Sequence, residues 1–145
     1  MAAEFTRLQK LIVEARYVMA ELPGNEKYGL LYQQDSLVQD NADLIRHLAR
    51  VKSVEHTDQA RGLRLANSGR EVWLDISEEV LYEHQTNLEV RLVETRQYVK
   101  SLEARLANES YVAKAPAHLV EESREELAKK QALIERLQDE LTVLS

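Results

Sequence analysis

From Ser77 to Ser145, apolar residues recur at alternating steps of three and four, in two runs separated by a short pivot. The first run is Leu81, Leu88, Leu92, Thr95, Val99, Leu102 and Leu106, with Gln85 filling the missing place. The second is Val120, Ser123, Leu127, Lys130, Ile134, Leu137, Leu141 and Leu144. Runs of this kind form the a/d seam of a coiled coil, and so narrow a stripe cannot be buried by the helix that carries it. The partner at hand is the other run, folded back through a turn near residues 108–116. The pattern therefore predicts a long antiparallel helical hairpin over residues 77–145. About thirty residues per arm, at ~1.5 Å of rise each, make a rod of roughly 45 Å. The end signals agree. Ser77 before Glu78 and Glu79 reads as an N-cap, and Pro116 suits the first turn of the returning helix. Gln85, Thr95, Ser123 and Lys130 read as polar register-setting members that point into the seam.

Residues 1–76 read as a small α+β domain, a helix/sheet sandwich. Phe5, Leu8, Ile12, Ala15, Val18 and Met19 share one helical face between Glu4 and Leu22, and Pro23-Gly24-Asn25 stops that helix. Tyr28 to Gln33 reads as a strand. Asp35 or Ser36 caps a second helix whose stripe is Leu37, Val38, Leu44, Ile45 and Leu48. Val51 to His56 alternates weakly as a strand. Leu63-Arg64-Leu65 and Val72 to Ile76 flank Asn67-Ser68-Gly69, a hairpin turn sequence. Two helices over one face of a three- or four-stranded sheet bury these stripes economically. No feature determines strand order. The last strand runs almost directly into the rod, which would let the small domain fix the rod's direction.

Charge and composition narrow the function. The net charge is −6, and residues 77–145 hold nine Lys or Arg against fourteen Asp or Glu. That surplus argues against non-specific nucleic-acid binding while leaving room for a local basic patch. The absence of cysteine excludes disulfides and thiolate metal sites. No apolar run approaches the ~20 residues of a membrane span, and the start lacks the basic-then-apolar order of a signal peptide, so a soluble cytoplasmic chain is expected.

Catalytic signatures are missing. The four glycines are scattered and make no phosphate loop. His47, His56, His84 and His118 have no metal-ligand spacing and read as surface or partly buried side chains. No nucleophile elbow is present. Glu121, Glu122, Glu125 and Glu126 occupy the first turns of a helix, where its dipole favours them. The chain by itself reads as non-catalytic.

The pivot, Leu106-Ala107-Asn108-Glu109-Ser110-Tyr111-Val112-Ala113-Lys114-Ala115-Pro116 followed by Leu119-Val120 and Glu121 to Leu127, resembles the C-terminal arm of valyl-tRNA synthetases. That arm carries an Asn-x-x-aromatic-Val-x-Lys-Ala-Pro turn between two heptad helices. Tyr17 to Glu21, Leu48 to Val51 and Val72 to Ile76 are similar in outline to the region before the family's arm. The resemblance implies a non-catalytic tail of a valine-tRNA ligase whose arm contacts the outer corner of tRNA, where the D and T loops meet. It also implies valine tRNA and the synthetase's catalytic body as partners. No cofactor is implied for this segment: ATP, valine and zinc would be bound elsewhere.

Phosphate contacts need Lys or Arg, and loop bases need stacking surfaces. Arg91, Arg96, Lys100 and Arg105 lie outside the seam of the first helix, and Lys114, Arg124 and Lys129 follow from the turn into the second. Two readings stand for them: a basic strip near the tip that touches RNA, or ordinary ion-pair partners of the abundant glutamates. Tyr111 is read as a plug for the end of the coiled coil, with Val112 beside it and with Asn108 and Pro116 shaping the turn. A competing function is a protein-interaction or dimerisation hairpin unrelated to RNA. A closed intramolecular hairpin would be monomeric, whereas an open seam would dimerise with concentration.

Overall fold

The computed structural model describes residues 2–24 and 26–144. Asn25, expected to help stop the first helix, and Ser145, at the expected end of the rod, lie outside the described residues. The chain divides into two compact units. The first holds residues up to Gln85 together with Leu144, and the second holds Thr86 to Val143.

The first unit opens with helix α1 (Ala2–Glu21), followed by strand β1 (Gly29–Tyr32). Helices α2 (Ser36–Asp40) and α3 (Ala42–Ala49) then lead to β2 (Val54–His56), β3 (Leu63–Arg64) and β4 (Val72–Asp75). Among the described residues the strands form one sheet in the order β2-β1-β4-β3. β1 and β2 are parallel, joined by the α2–α3 crossover, while β4 runs antiparallel to both β1 and β3. Leu30 faces Leu74 across the central pair, and both are fully buried. They join Leu8, Leu11, Ala15, Val38, Ile45, Val51, Leu65 and Val72 in the core, against which Val80, Leu81 and Leu144 also pack. Leu31 and Trp73 point to the opposite face of the sheet and are buried as well.

Several expectations for this unit change. The second helix is interrupted at Asn41, whose side-chain amide donates to the Leu37 carbonyl at 2.8 Å and ends α2 early. Its cap is Asp35, whose carboxylate accepts from the Val38 amide at 3.2 Å. Because of the break, α3 turns Ile45 and Ala49 inward and leaves Leu44 and Leu48 exposed. On α1, Leu11 is fully buried and Phe5 is exposed, since the buried face widens toward Leu22 and stops short of the first turn. The expected strand from Val51 shortens to β2, and the strand over Leu63 to Leu65 shortens to β3. The turn after it is a 3-10 helix (Ala66–Ser68) closed by Gly69 at φ 70°. There the Ser68 hydroxyl donates to the Leu65 carbonyl at 2.6 Å.

The arm consists of α4 (Glu78–Ala107), α5 (Glu109–Lys114) and α6 (Ala117–Leu144). Ser77 caps α4: its hydroxyl accepts from the Val80 amide at 3.2 Å. Within the second unit Leu88, Leu92, Thr95, Val99 and Leu102 are buried on α4, and Val120, Ser123 and Leu137 on α6. The remaining seam members are half-buried, and within this unit every buried residue lies on the stripe, whereas His84, in the first unit and expected to be at the surface or partly buried, is buried beside it. No helix among the described residues is long and apolar enough to cross a membrane.

Candidate nucleic-acid interface

The pivot is a six-residue helix, α5, where an open turn was expected. Asn108 caps it, its side-chain oxygen accepting from the amides of Ser110 at 3.0 Å and Tyr111 at 3.2 Å. Ala115 donates to the Tyr111 carbonyl at 2.8 Å and then adopts an extended backbone, which delivers Pro116 ahead of α6. The Pro116 carbonyl accepts from the amides of Leu119 and Val120. Tyr111 and Val112 are half-buried, and the Arg105 guanidinium lies 5.9 Å from the centre of the Tyr111 ring.

Two polar seam members close on their own helices. Thr95 donates to the Arg91 carbonyl at 2.6 Å, and Ser123 to the Leu119 carbonyl at 3.0 Å. Lys130 departs from its expected inward direction. Its stem lies along the seam while its ammonium emerges 3.9 Å from Glu126 and 5.6 Å from the centre of the Tyr98 ring.

Heptad register sorts the predicted cations onto two flanks. With the seam at a and d, Arg96 takes an e position and Lys100 the neighbouring b, whereas Arg91 and Arg105 take g positions on the opposite side. On α6, Arg124 takes e and Lys129 takes c, beside g. Reversing one helix of the pair brings like flanks together. Accordingly Tyr98 and Arg105 line one groove with Leu119 and Glu126, all at g positions. Arg96, Lys100 and Arg124 therefore share one flank; Arg91, Arg105 and Lys129 belong to the other. Lys114 stands apart on α5.

Their electrostatic surroundings differ. Arg124 lies 3.8 Å from Glu121, one turn away and well exposed, a weak pairing in water. Arg105 is held over Tyr111. Arg96, Lys100, Lys114 and Lys129 are exposed and enter no ion pair among the described residues. The glutamate-partner reading thus has a contact for Arg124 and none for these four. Sequence reasoning missed Tyr98, which with Arg105 and Tyr111 walls the tip groove on the g flank. Its g position beside the seam was the available signal.

In the first unit a strong electrostatic feature is structural. The Arg70 guanidinium grips the Asp35 carboxylate with two hydrogen bonds of 2.6 Å. Burial alone would raise the Asp35 pKa, but the Arg70 hydrogen bonds and the Val38 and Leu37 amides outweigh it and hold the carboxyl below its ordinary value.

Together these features define a class: a small α+β domain continued by an antiparallel coiled-coil arm with a capped helical tip and exposed cations. Residues 81–145 match the family model described as the valyl tRNA synthetase tRNA binding arm. Likeness to curated valine–tRNA ligases extends beyond the arm. The enzyme of Streptomyces avermitilis is 31% identical over 142 residues, covering 95% of this chain and 16% of that protein. That of Thermotoga maritima is 25% identical over 141 residues, covering 93% and 16%. The Chlorobaculum tepidum enzyme is 32% identical over 78 residues, covering 53% of this chain and 9% of its own length. The chain belongs with the C-terminal regions of valyl-tRNA synthetases. It spans only 16% of the length of the two relatives that it matches nearly throughout.

Proposed function

We propose that this chain is the non-catalytic tRNA-binding part of a valine–tRNA ligase. Its arm grips the outer corner of the tRNA, where the D and T loops meet, while the synthetase body supplies ATP, valine and the chemistry of aminoacylation. The observation that carries the reading is the match of residues 81–145 to the tRNA binding arm. The free cations support it. Phosphate oxygens are the partners that Arg96, Lys100, Lys114 and Arg124 lack or hold only weakly, and each neutralised phosphate releases counterions. Arg91, Arg105 and Lys129 form the second flank of the grip, with Arg105 pre-positioned by Tyr111. An arm of this kind adds affinity for valine tRNA and works as a monomer.

Binding of the chain to valine tRNA and to an unrelated tRNA, titrated from low to moderate salt, tests this. A variant carrying Arg96→Gln, Lys100→Gln, Lys114→Gln and Arg124→Gln should bind at least tenfold more weakly. It should also lose about three units of the log–log salt slope, since each phosphate contact contributes roughly 0.7–0.9. No binding of the unaltered chain at low salt, or equal binding by the variant, would remove the reading and favour an interaction hairpin.

A further inference from the structure

The groove on the g flank of the arm, between α4 and α6 near the tip, has a volume of about 380 Å³. Tyr98 is 45% exposed along it and Leu119 40%, so an aromatic ring and an aliphatic side chain stand there uncovered. Two opposite charges share its walls without meeting. Arg105 is drawn over the Tyr111 ring, 5.9 Å from its centre, and enters no ion pair among the described residues. Glu122 is exposed and likewise enters none. Glu126, the other carboxylate of the groove, is taken up by Lys130 at 3.9 Å. The groove therefore offers hydrogen-bond donors, a free acceptor and an aromatic face.

Chemistry narrows what such a groove takes. A phosphate is repelled by Glu122 and Glu126 and has no use for an aromatic face. An unpaired nucleobase stacks on a tyrosine ring and carries N–H donors for a carboxylate. Guanine alone has two adjacent donors, N1–H and N2–H, on one edge and two adjacent acceptors, O6 and N7, on another. The donors match the two oxygens of a carboxylate, and the acceptors match the fork of a guanidinium. Adenine and cytosine place a ring acceptor beside the amino group, and uracil has a carbonyl on either side of its N–H. Each of those sets an acceptor against Glu122. We propose that this groove holds one unpaired guanine of the bound RNA. Glu122 accepts from N1–H and N2–H, Arg105 donates to O6 and N7, and Tyr98 stacks on the ring. The proposal rests on the tRNA-binding function above and goes beyond it, because the arm then reads a base as well as holding phosphates. It also gives the acidic wall of the tip a role that phosphate binding does not.

Kethoxal footprinting tests this, since the reagent attacks N1 and N2 of guanines that are unpaired and open. Valine tRNA is treated alone and with saturating unaltered chain, Glu122→Ala or Glu125→Ala. Glu125 is an exposed carboxylate at the outward f position of α6, so its variant controls for the lost charge. At least one unpaired guanine should be protected fivefold or more by the unaltered chain and by Glu125→Ala. Glu122→Ala should bind with the same salt slope yet protect that guanine less than twofold. Binding without a protected guanine, or equal protection by Glu122→Ala, would overturn the proposal and leave the tRNA-binding function standing. Failure of the unaltered chain to bind valine tRNA at low salt would remove that function, and the proposal with it.

Discussion

The small domain and the arm bury apolar surface in opposite ways. In the domain, Leu30, Val38, Ile45, Leu63 and Leu74 come from five separate elements and meet in one three-dimensional cluster. In the arm, the buried Leu88, Leu92, Val99 and Leu102 of α4 and Val120 and Leu137 of α6 all lie on one heptad stripe per helix. A cluster assembled from distant segments depends on every backbone path that enters it. A repeated seam depends on local pattern and tolerates a weak member, as Gln85 and Lys130 illustrate. The same contrast divides function. The charges differ too: the domain holds the Asp35–Arg70 pair inward, while in the arm Arg96, Lys100, Lys114 and Lys129 are exposed and enter no ion pair among the described residues.

The contrast is put under most strain at Gly62. Its φ is +81°, and a Cβ there would run into the carbonyl of Leu74 on β4, which accepts from the Ile76 amide at 3.0 Å and lies on the side of β4 that pairs with β3. Gly62→Ala should cost the domain about 4 kcal/mol, from a left-handed backbone and an overpacked contact together. The single tryptophan, Trp73 on β4, reports that loss by fluorescence, while far-ultraviolet circular dichroism follows the helices of the arm. Helical signal that survives after the Trp73 transition has dropped would sharpen the contrast. Simultaneous collapse of both would break it and make the arm dependent on the domain.

A smaller effect is expected at Asp35→Asn, which leaves the mostly buried Arg70 without its carboxylate and should cost about 3 kcal/mol at neutral pH. The pH dependence has a definite sign. Because the folded carboxyl has a lowered pKa, the unfolded chain binds more protons as the pH falls through the ordinary carboxylate value, about 3.9. The stabilisation is full above that value and disappears as the pH falls through the lower, folded one. Stability curves of the unaltered chain and Asp35→Asn should therefore converge in acid. Parallel curves would show that the pair is not what titrates.

Asn108→Ala carries the least of the three, about 1 kcal/mol for a lost helix cap, and acts on the arm. Hydrogen exchange at the Ser110 and Tyr111 amides should speed up, with the Trp73 transition unmoved and Asn108→Asp close to the unaltered chain. A shift of the Trp73 signal would mean that tip and domain are coupled.

How much was legible follows the same division. The hairpin and its buried stripe stood in the heptads, because a seam is a local repeat whose burial is decided by position within the helix. The cap at Ser77 was legible for the same reason, while Asn108, read as shaping a turn, caps a helix instead. The tip was harder. Glu109 to Lys114 is too short for helical periodicity to register, so α5 read as a turn. In the domain, Asp35 as a cap was visible, but the break at Asn41 depends on a side chain competing for the Leu37 carbonyl. Once the helix was broken there, Leu44 and Leu48 left the core.

By itself, then, the sequence determined the features set by neighbours along the chain: a coiled-coil hairpin, its capped ends, its cations outside the seam and its likeness to a synthetase arm. Tertiary structure alone decided the strand order β2-β1-β4-β3, the grip of Arg70 on Asp35 and the exposure of Leu44 and Leu48. It also showed how Arg105 and Lys130 use their aromatic neighbours Tyr111 and Tyr98. The physical reason is range. A heptad stripe states its own partner surface within two turns, whereas pairing of β1 with β4, or of residue 35 with residue 70, joins groups about which the intervening chain carries no periodic signal.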